Sequence, residues 1–141
     1  MNPEQAQLLA TARQFGIQLS ATPRGARLAR LLAAEQLRTW ELEAASEAAA
    51  HVVAELAANA VTHGRVPGRD FLLCLLATTA TLRIEVTDTR GDLRPTLGRP
   101  TDTESGRGLL LVEALSDRWG VASGPVPRKT VWAEIGLTAR P

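Results

Sequence analysis

Apolar and polar positions along this chain follow two different periods, and the switches between them mark out its elements. From Glu43 to His63 the run EAASEAAAHVVAELAANAVTH keeps apolar residues on several sides of a 3.6-residue repeat, as in a helix packed on more than one side. Gly64 follows it, a favoured residue just past a helix end. Ahead of it, Thr22-Pro23 reads as an N-cap with proline at the first helical position and predicts a helix through about Trp40. Leu28, Leu31, Leu32, Ala34 and Leu37 supply its apolar stripe. Asn2-Pro3 starts a shorter helix through about Arg13, and Gly16 to Ala21 reads as a short edge strand.

Beyond Gly64 the period changes. Gly64 to Asp70 is a loop, and the continuous apolar run Phe71–Leu76 predicts a strand buried on both faces. TLRIEVTD then alternates Leu82, Ile84 and Val86 against Arg83, Glu85 and Thr87, as a half-exposed antiparallel strand does. Thr89 to Ser105 is rich in Gly, Pro, Asp, Thr and Arg without periodicity, which fits a functional lid or a disordered loop. A helix over about Gly108–Ser116 and strands near Trp119–Ala122 and Thr130–Ile135, flanking the turn SGPVPRK, complete an α+β chain.

Composition narrows the classes. A length of 141 residues suits one domain with a real core and leaves no room for a second. The net charge of +1 argues against direct nucleic-acid wrapping. The cations are scattered arginines, with Lys129 the only lysine, a pattern that reads as compositional bias. One cysteine, Cys74, excludes an internal disulfide framework and fits a reducing cytoplasm, while its place in an apolar run marks it as core. No signal-like N-terminus and no apolar run of spanning length is present, so a cytoplasmic protein without membrane contact is expected.

Against this background a few polar residues stand out. Glu55, Asn59 and His63 lie four apart, on one face of a largely apolar helix. Polar groups beside so much buried surface cost free energy unless satisfied, and a bound ion or phosphate would satisfy them. Asp88 ends a strand and opens the loop VTDTRGDLRP, where a buried carboxylate suits a donor such as an exocyclic amine and an exposed one is a turn former. Ser105-Gly106-Arg107-Gly108-Leu109 opens a helix, where glycine amides and the helix N-terminus can approach phosphate oxygens. Each signal has a bland alternative. Glu55 suits a solvated face, His63 favours the helix dipole, Thr130 suits a strand by propensity, and Trp40, Trp119 and Trp132 suit packing, though one of the three could shield a base.

Taken in order, E-x-x-x-N-A-x-x-H-G on a helix, a strand-ending Asp before a long loop, and S-G-x-G-L resemble the GHKL (histidine-kinase-like) ATPase superfamily. Within it the chain is most similar to the stand-alone anti-sigma-factor serine/threonine kinases of actinobacterial type. ATPRGARLAR and KTVWAEI agree with this, so the resemblance runs from about Leu19 to Ile135. It implies a two-layer α/β sandwich, the Bergerat fold, with a mixed, mainly antiparallel sheet covered on one face by helices, as a single domain over 1–141.

The resemblance also implies roles. Asn59 would hold Mg²⁺, with the triphosphate of ATP supplying further ligands. Glu55 would be the general base toward an attacking hydroxyl. His63 would contact phosphate or pin the helix end, and Asp88 would recognise the adenine amine. Gly106, Arg107 and Gly108 with the amide of Leu109 would cradle phosphates, and Thr130 would help bind adenine. Two positions depart from the family pattern. Arg90 stands where the first glycine after the adenine-binding Asp is expected, with Gly91 one place late, and Glu104 stands where kinase members carry an arginine. A carboxylate beside a triphosphate repels it, so the pattern supports ATP binding more directly than phosphoryl transfer.

Three functions follow from different classes. One is a kinase of an anti-anti-sigma partner that also holds a sigma factor, with homodimers common. The second is a nucleotide-gated protein-binding module without catalysis. The third is a histidine-kinase-like catalytic domain acting in trans, disfavoured because no phosphoacceptor helix pair is present.

Overall fold

The computed structural model describes residues 12–63, 70–88, 103–123 and 128–137, apart from the side chains of residues 63 and 103–108. Five strands are present, β1 (Arg13–Ser20), β2 (Asp70–Ala77), β3 (Thr81–Asp88), β4 (Arg118–Ser123) and β5 (Lys129–Gly136). The helices are α1 (Pro23–Thr39), α2 (Glu43–His63) and α3 (Thr103–Leu115). The sheet order is β1-β2-β3-β5-β4, and every ladder is antiparallel rather than mixed. β1 is an edge strand, as expected, and begins three residues earlier than the Gly16 start. The helix proposed from Asn2 and the loop after Gly64 lie outside the described residues, except that Arg13 is strand.

α2 carries the core. Ala49, Val52, Val53, Leu56, Ala57 and Ala60 are buried, and they share one cluster with Phe71, Leu73, Leu75, Leu82, Ile84, Val86, Ala133 and Ile135 from the sheet. Only one sheet face receives this helix layer. Phe71–Leu76 is therefore not buried on both sides: Phe71, Leu73 and Leu75 face the helices, while Leu72, Cys74 and Leu76 are half-buried on the other face. Burial raises the Cys74 thiol above its ordinary value, with the nearby Glu85 charge adding to the shift.

The corner between β1 and α1 sets which side of α1 is buried. Thr22 caps the helix, its hydroxyl accepting from the Gly25 amide at 3.0 Å, and its own amide donates to the Ser20 carbonyl at 2.8 Å. This closure brings the Ser20 carbonyl so near Gly25 that no Cβ fits there. Gly25 must face inward, and Ala29, Ala33 and Leu37 follow it at four-residue steps. The leucine stripe expected from periodicity is thereby displaced. Leu28 and Leu31 are 41% and 64% exposed, and small residues make the contact instead. At the other end Glu41 (φ 60°) closes α1, with its amide donating to the Arg38 carbonyl and that of Leu42 to Leu37.

The uncovered face carries an ionic lattice. Arg83 donates to Glu85 at 2.7 Å and to Glu134 at 2.9 Å, Arg118 also donates to Glu134, and the Arg83 guanidinium stacks 4.3 Å from the Trp132 ring centroid. Burial alone would push the Glu134 carboxyl up, but hydrogen bonds from Arg118 and Arg83 and their charges outweigh it and hold it below the usual range. A carboxyl depressed in the folded state stabilises above its unfolded pKa, near 4.5, and that contribution is lost as pH falls through the depressed value. Glu134→Gln should cost about 1–2 kcal/mol at neutral pH, because Arg118 is largely exposed and Arg83 supplies most of the effect. Urea unfolding at pH 7 and pH 3 should show a smaller acid loss for the variant than for the wild type. Gly25→Ala should destabilise by about 1–3 kcal/mol, since the obstructing atom is a backbone carbonyl that cannot rotate away. An unchanged urea midpoint would remove the role assigned to that corner.

Candidate functional site

The site begins where α2 crosses the ends of β3 and β5. Leu56, Asn59 and Ala60 from α2, Val86 and Asp88 from β3, and Lys129 and Val131 from β5 line one open cleft of about 240 Å³. Leu56, Ala60, Val86 and Val131 form an apolar floor, and Asn59, Asp88 and Lys129 supply the polar groups. The volume falls below the roughly 300–1,000 Å³ of pockets that enclose drug-sized ligands. It suits a flat ring system whose remaining groups lie outside.

Local structure explains each placement. Asn59 is half-buried in the last turns of α2, one step of four before the chain reaches His63. Asp88 is the last residue of β3, with the parity of Leu82, Ile84 and Val86, so strand alternation turns it to the helix side. It is 8% exposed and is the buried charged side chain among the described residues. Across the ladder Asp88 stands opposite Lys129, and Val86 opposite Val131.

Two expected residues therefore meet in the cleft, Asn59 and Asp88. Glu55 lies one turn earlier on α2, half-buried, and does not line it. Thr130 is placed on the opposite face of the sheet. It stands in register with Thr87, and their hydroxyls are 2.8 Å apart. The residue that enters the cleft from β5 is Lys129, which sequence reasoning passed over. The parity of Val131, Ala133 and Ile135 carried the signal, since a strand with those residues inward must turn Lys129 inward as well and Thr130 outward.

The glycine segment also differs from expectation. α3 starts at Thr103 rather than near Gly108, so Ser105-Gly106-Arg107-Gly108 occupies its first two turns instead of preceding it. Thr103 and Glu104 favour a helix start, which explains the earlier boundary. Within an α-helix beginning there, the free amides are those of Thr103 to Gly106, while Gly108 and Leu109 donate to carbonyls four residues back. Leu109 is half-buried. Gly91, together with Arg90, and the side chains of His63, Glu104 and Arg107 lie outside the described residues.

A hard divalent cation takes oxygen ligands and keeps waters or phosphate oxygens in its shell. The Asn59 amide oxygen fits one such position, and among the described residues no group of three or more His, Cys, Asp or Glu could hold a metal by itself. The donor set thus fits a cation shared with a phosphate-bearing ligand.

Comparison with known proteins agrees with this architecture. No curated protein matches the sequence. The crystal structure of the RsbU and RsbW domains of Rv1364c from Mycobacterium tuberculosis superposes with a TM-score of 0.60 at 23% identity, over 91% of this chain and 33% of that one. This chain thus spans about a third of that longer protein, and the likeness is one of fold. The family model for the histidine kinase-like ATPase domain matches residues 19–134. With a match over most of its length and the helix-on-sheet cleft that match leads one to expect, this chain belongs to the histidine kinase-like ATPase family.

Proposed function

We propose that this protein binds Mg²⁺·ATP and acts as a regulatory protein of the anti-sigma-factor type, a serine/threonine kinase for an anti-anti-sigma partner. The observation that carries the reading is the convergence of Asn59 and Asp88 on one apolar-floored cleft. A carboxylate that accepts and does not donate selects a ligand amine at the inner end of the cleft. Asn59 holds the cation beside it, and when bound the cation neutralises phosphate charge. The fold of Rv1364c, whose crystallised domains include one named RsbW, supports the regulatory assignment. No helix among the described residues is long and apolar enough to cross a membrane, and a cytoplasmic setting is part of the reading.

In the kinase reading Glu55 takes the proton from a serine or threonine hydroxyl of the partner as that oxygen attacks the terminal phosphorus. Its position outside the cleft lining favours a second reading, a nucleotide-gated module that binds its partner without transferring phosphate. Glu104, in the first turn of α3, points the same way, because a carboxylate there does not supply the positive charge a transferring phosphoryl group needs.

Isothermal titration with ATP, with and without Mg²⁺, tests the shared part. Binding should require Mg²⁺ and weaken about ten- to hundredfold in Asn59→Ala and in Asp88→Asn, the range expected for losing one charge-assisted contact. Failure of the wild type to bind at millimolar ATP would remove the nucleotide reading. Glu55→Gln separates the two versions. Lost phosphotransfer with retained ATP binding assigns the kinase, and no transfer by the wild type assigns the module.

A further inference from the structure

Lys129 lines the cleft, yet the ATP reading gives it no task. It is half-buried at the first position of β5, directly opposite Asp88. Residues facing each other across an antiparallel ladder hold their Cβ atoms about 4.5–5.5 Å apart on the same sheet face. The Asp88 carboxylate and the Lys129 ammonium therefore share the inner end of one pocket, above the floor of Leu56, Val86 and Val131. The first can only accept hydrogen bonds and the second can only donate them.

This pairing bears on which base the pocket takes. A carboxylate alone accepts from the amine of adenine and rejects guanine, whose ring carbonyl would meet a second acceptor with no donor between them. Sites that leave a buried polar group unpaired discriminate strongly against such a ligand. An ammonium beside the carboxylate removes that penalty. Adenine offers its amino group beside N1, guanine its N1–H beside O6, and each edge sets a donor next to an acceptor. We propose that Lys129 is a specificity-determining residue that opens this pocket to guanine nucleotides as well as adenine nucleotides. The proposal rests on the nucleotide reading above, and goes beyond it in assigning the base.

Titration of the full chain with ATP and with GTP in the presence of Mg²⁺, on wild type, Lys129→Met and Lys129→Thr, tests it. Wild-type affinities should lie within about tenfold of each other. Both variants should lose about ten- to hundredfold toward GTP while ATP changes by less than about threefold, since only guanine presents a carbonyl to the lost donor. A second readout needs no variant. Lys129 is the only lysine, so acylation by acetic anhydride followed by mass spectrometry reads it apart from the N-terminus, and GTP should protect it. ATP binding without GTP binding overturns the proposal and leaves the nucleotide reading intact. Binding of neither overturns both. Equal losses toward both nucleotides would place Lys129 against phosphates, and tighter ATP binding in the variants would make it a competitor for Asp88; either result also overturns the proposal.

Discussion

Everything in this molecule hangs on the burial of α2 against one face of the sheet. Its apolar positions Val52, Val53, Leu56, Ala57 and Ala60 meet Leu73, Leu75, Ile84 and Val86, and this contact fixes the height at which the helix crosses the strands. Burying side chains of this size contributes roughly 1.5–3 kcal/mol each for the larger ones, so the contact tolerates the polar residues set into the same helix. Asn59 sits where the apolar run gives out, above the strand ends. The cleft is a by-product of that register, since the helix overhangs Val86 and Val131 and leaves Asp88 at the edge of its cover.

On this frame the polar groups fall into two sets with different duties. On the covered face Asn59, Asp88 and Lys129 gather at one end, where a ligand could satisfy them. On the bare face Arg83, Glu85, Glu134 and Arg118 satisfy one another, with Trp132 under the guanidinium. That lattice lets a sheet with half-exposed Leu72 and Leu76 present charge rather than a continuous apolar surface.

Much of this was legible in the sequence, and the misses have physical reasons. Both long helices were readable because Thr22-Pro23 and Gly64 punctuate strong periodic runs, and the strand ending at Asp88 because its alternation is clean. Side assignment failed wherever large residues were weighed above small ones. Leu28 and Leu31 lie outward because the tight corner at Gly25 forces the alanine face inward, a tertiary constraint that hydrophobic period alone does not express. Phe71–Leu76 looked buried on both sides because leucines also fill its open face. The site was half legible. Asn59 and Asp88 lie in the cleft, whereas Thr130 was chosen by motif against the parity of its own strand, and Lys129 was overlooked as one more scattered cation.

The topology gives the cleft a particular place in the folding of the chain. The hairpins β2-β3 and β4-β5 join strands close in sequence, but β3-β5 pairing must enclose α3 and β4, and β1-β2 pairing must enclose both long helices. Closures of long segments are entropically costly and come late in assembly. Asp88 and Lys129 are brought together only by the β3-β5 ladder, and Asn59 only when α2 docks across it. No partly folded form that lacks this central ladder can hold the three groups together. The cleft is thus a checkpoint on chain assembly, present only once the two halves of the sheet have joined.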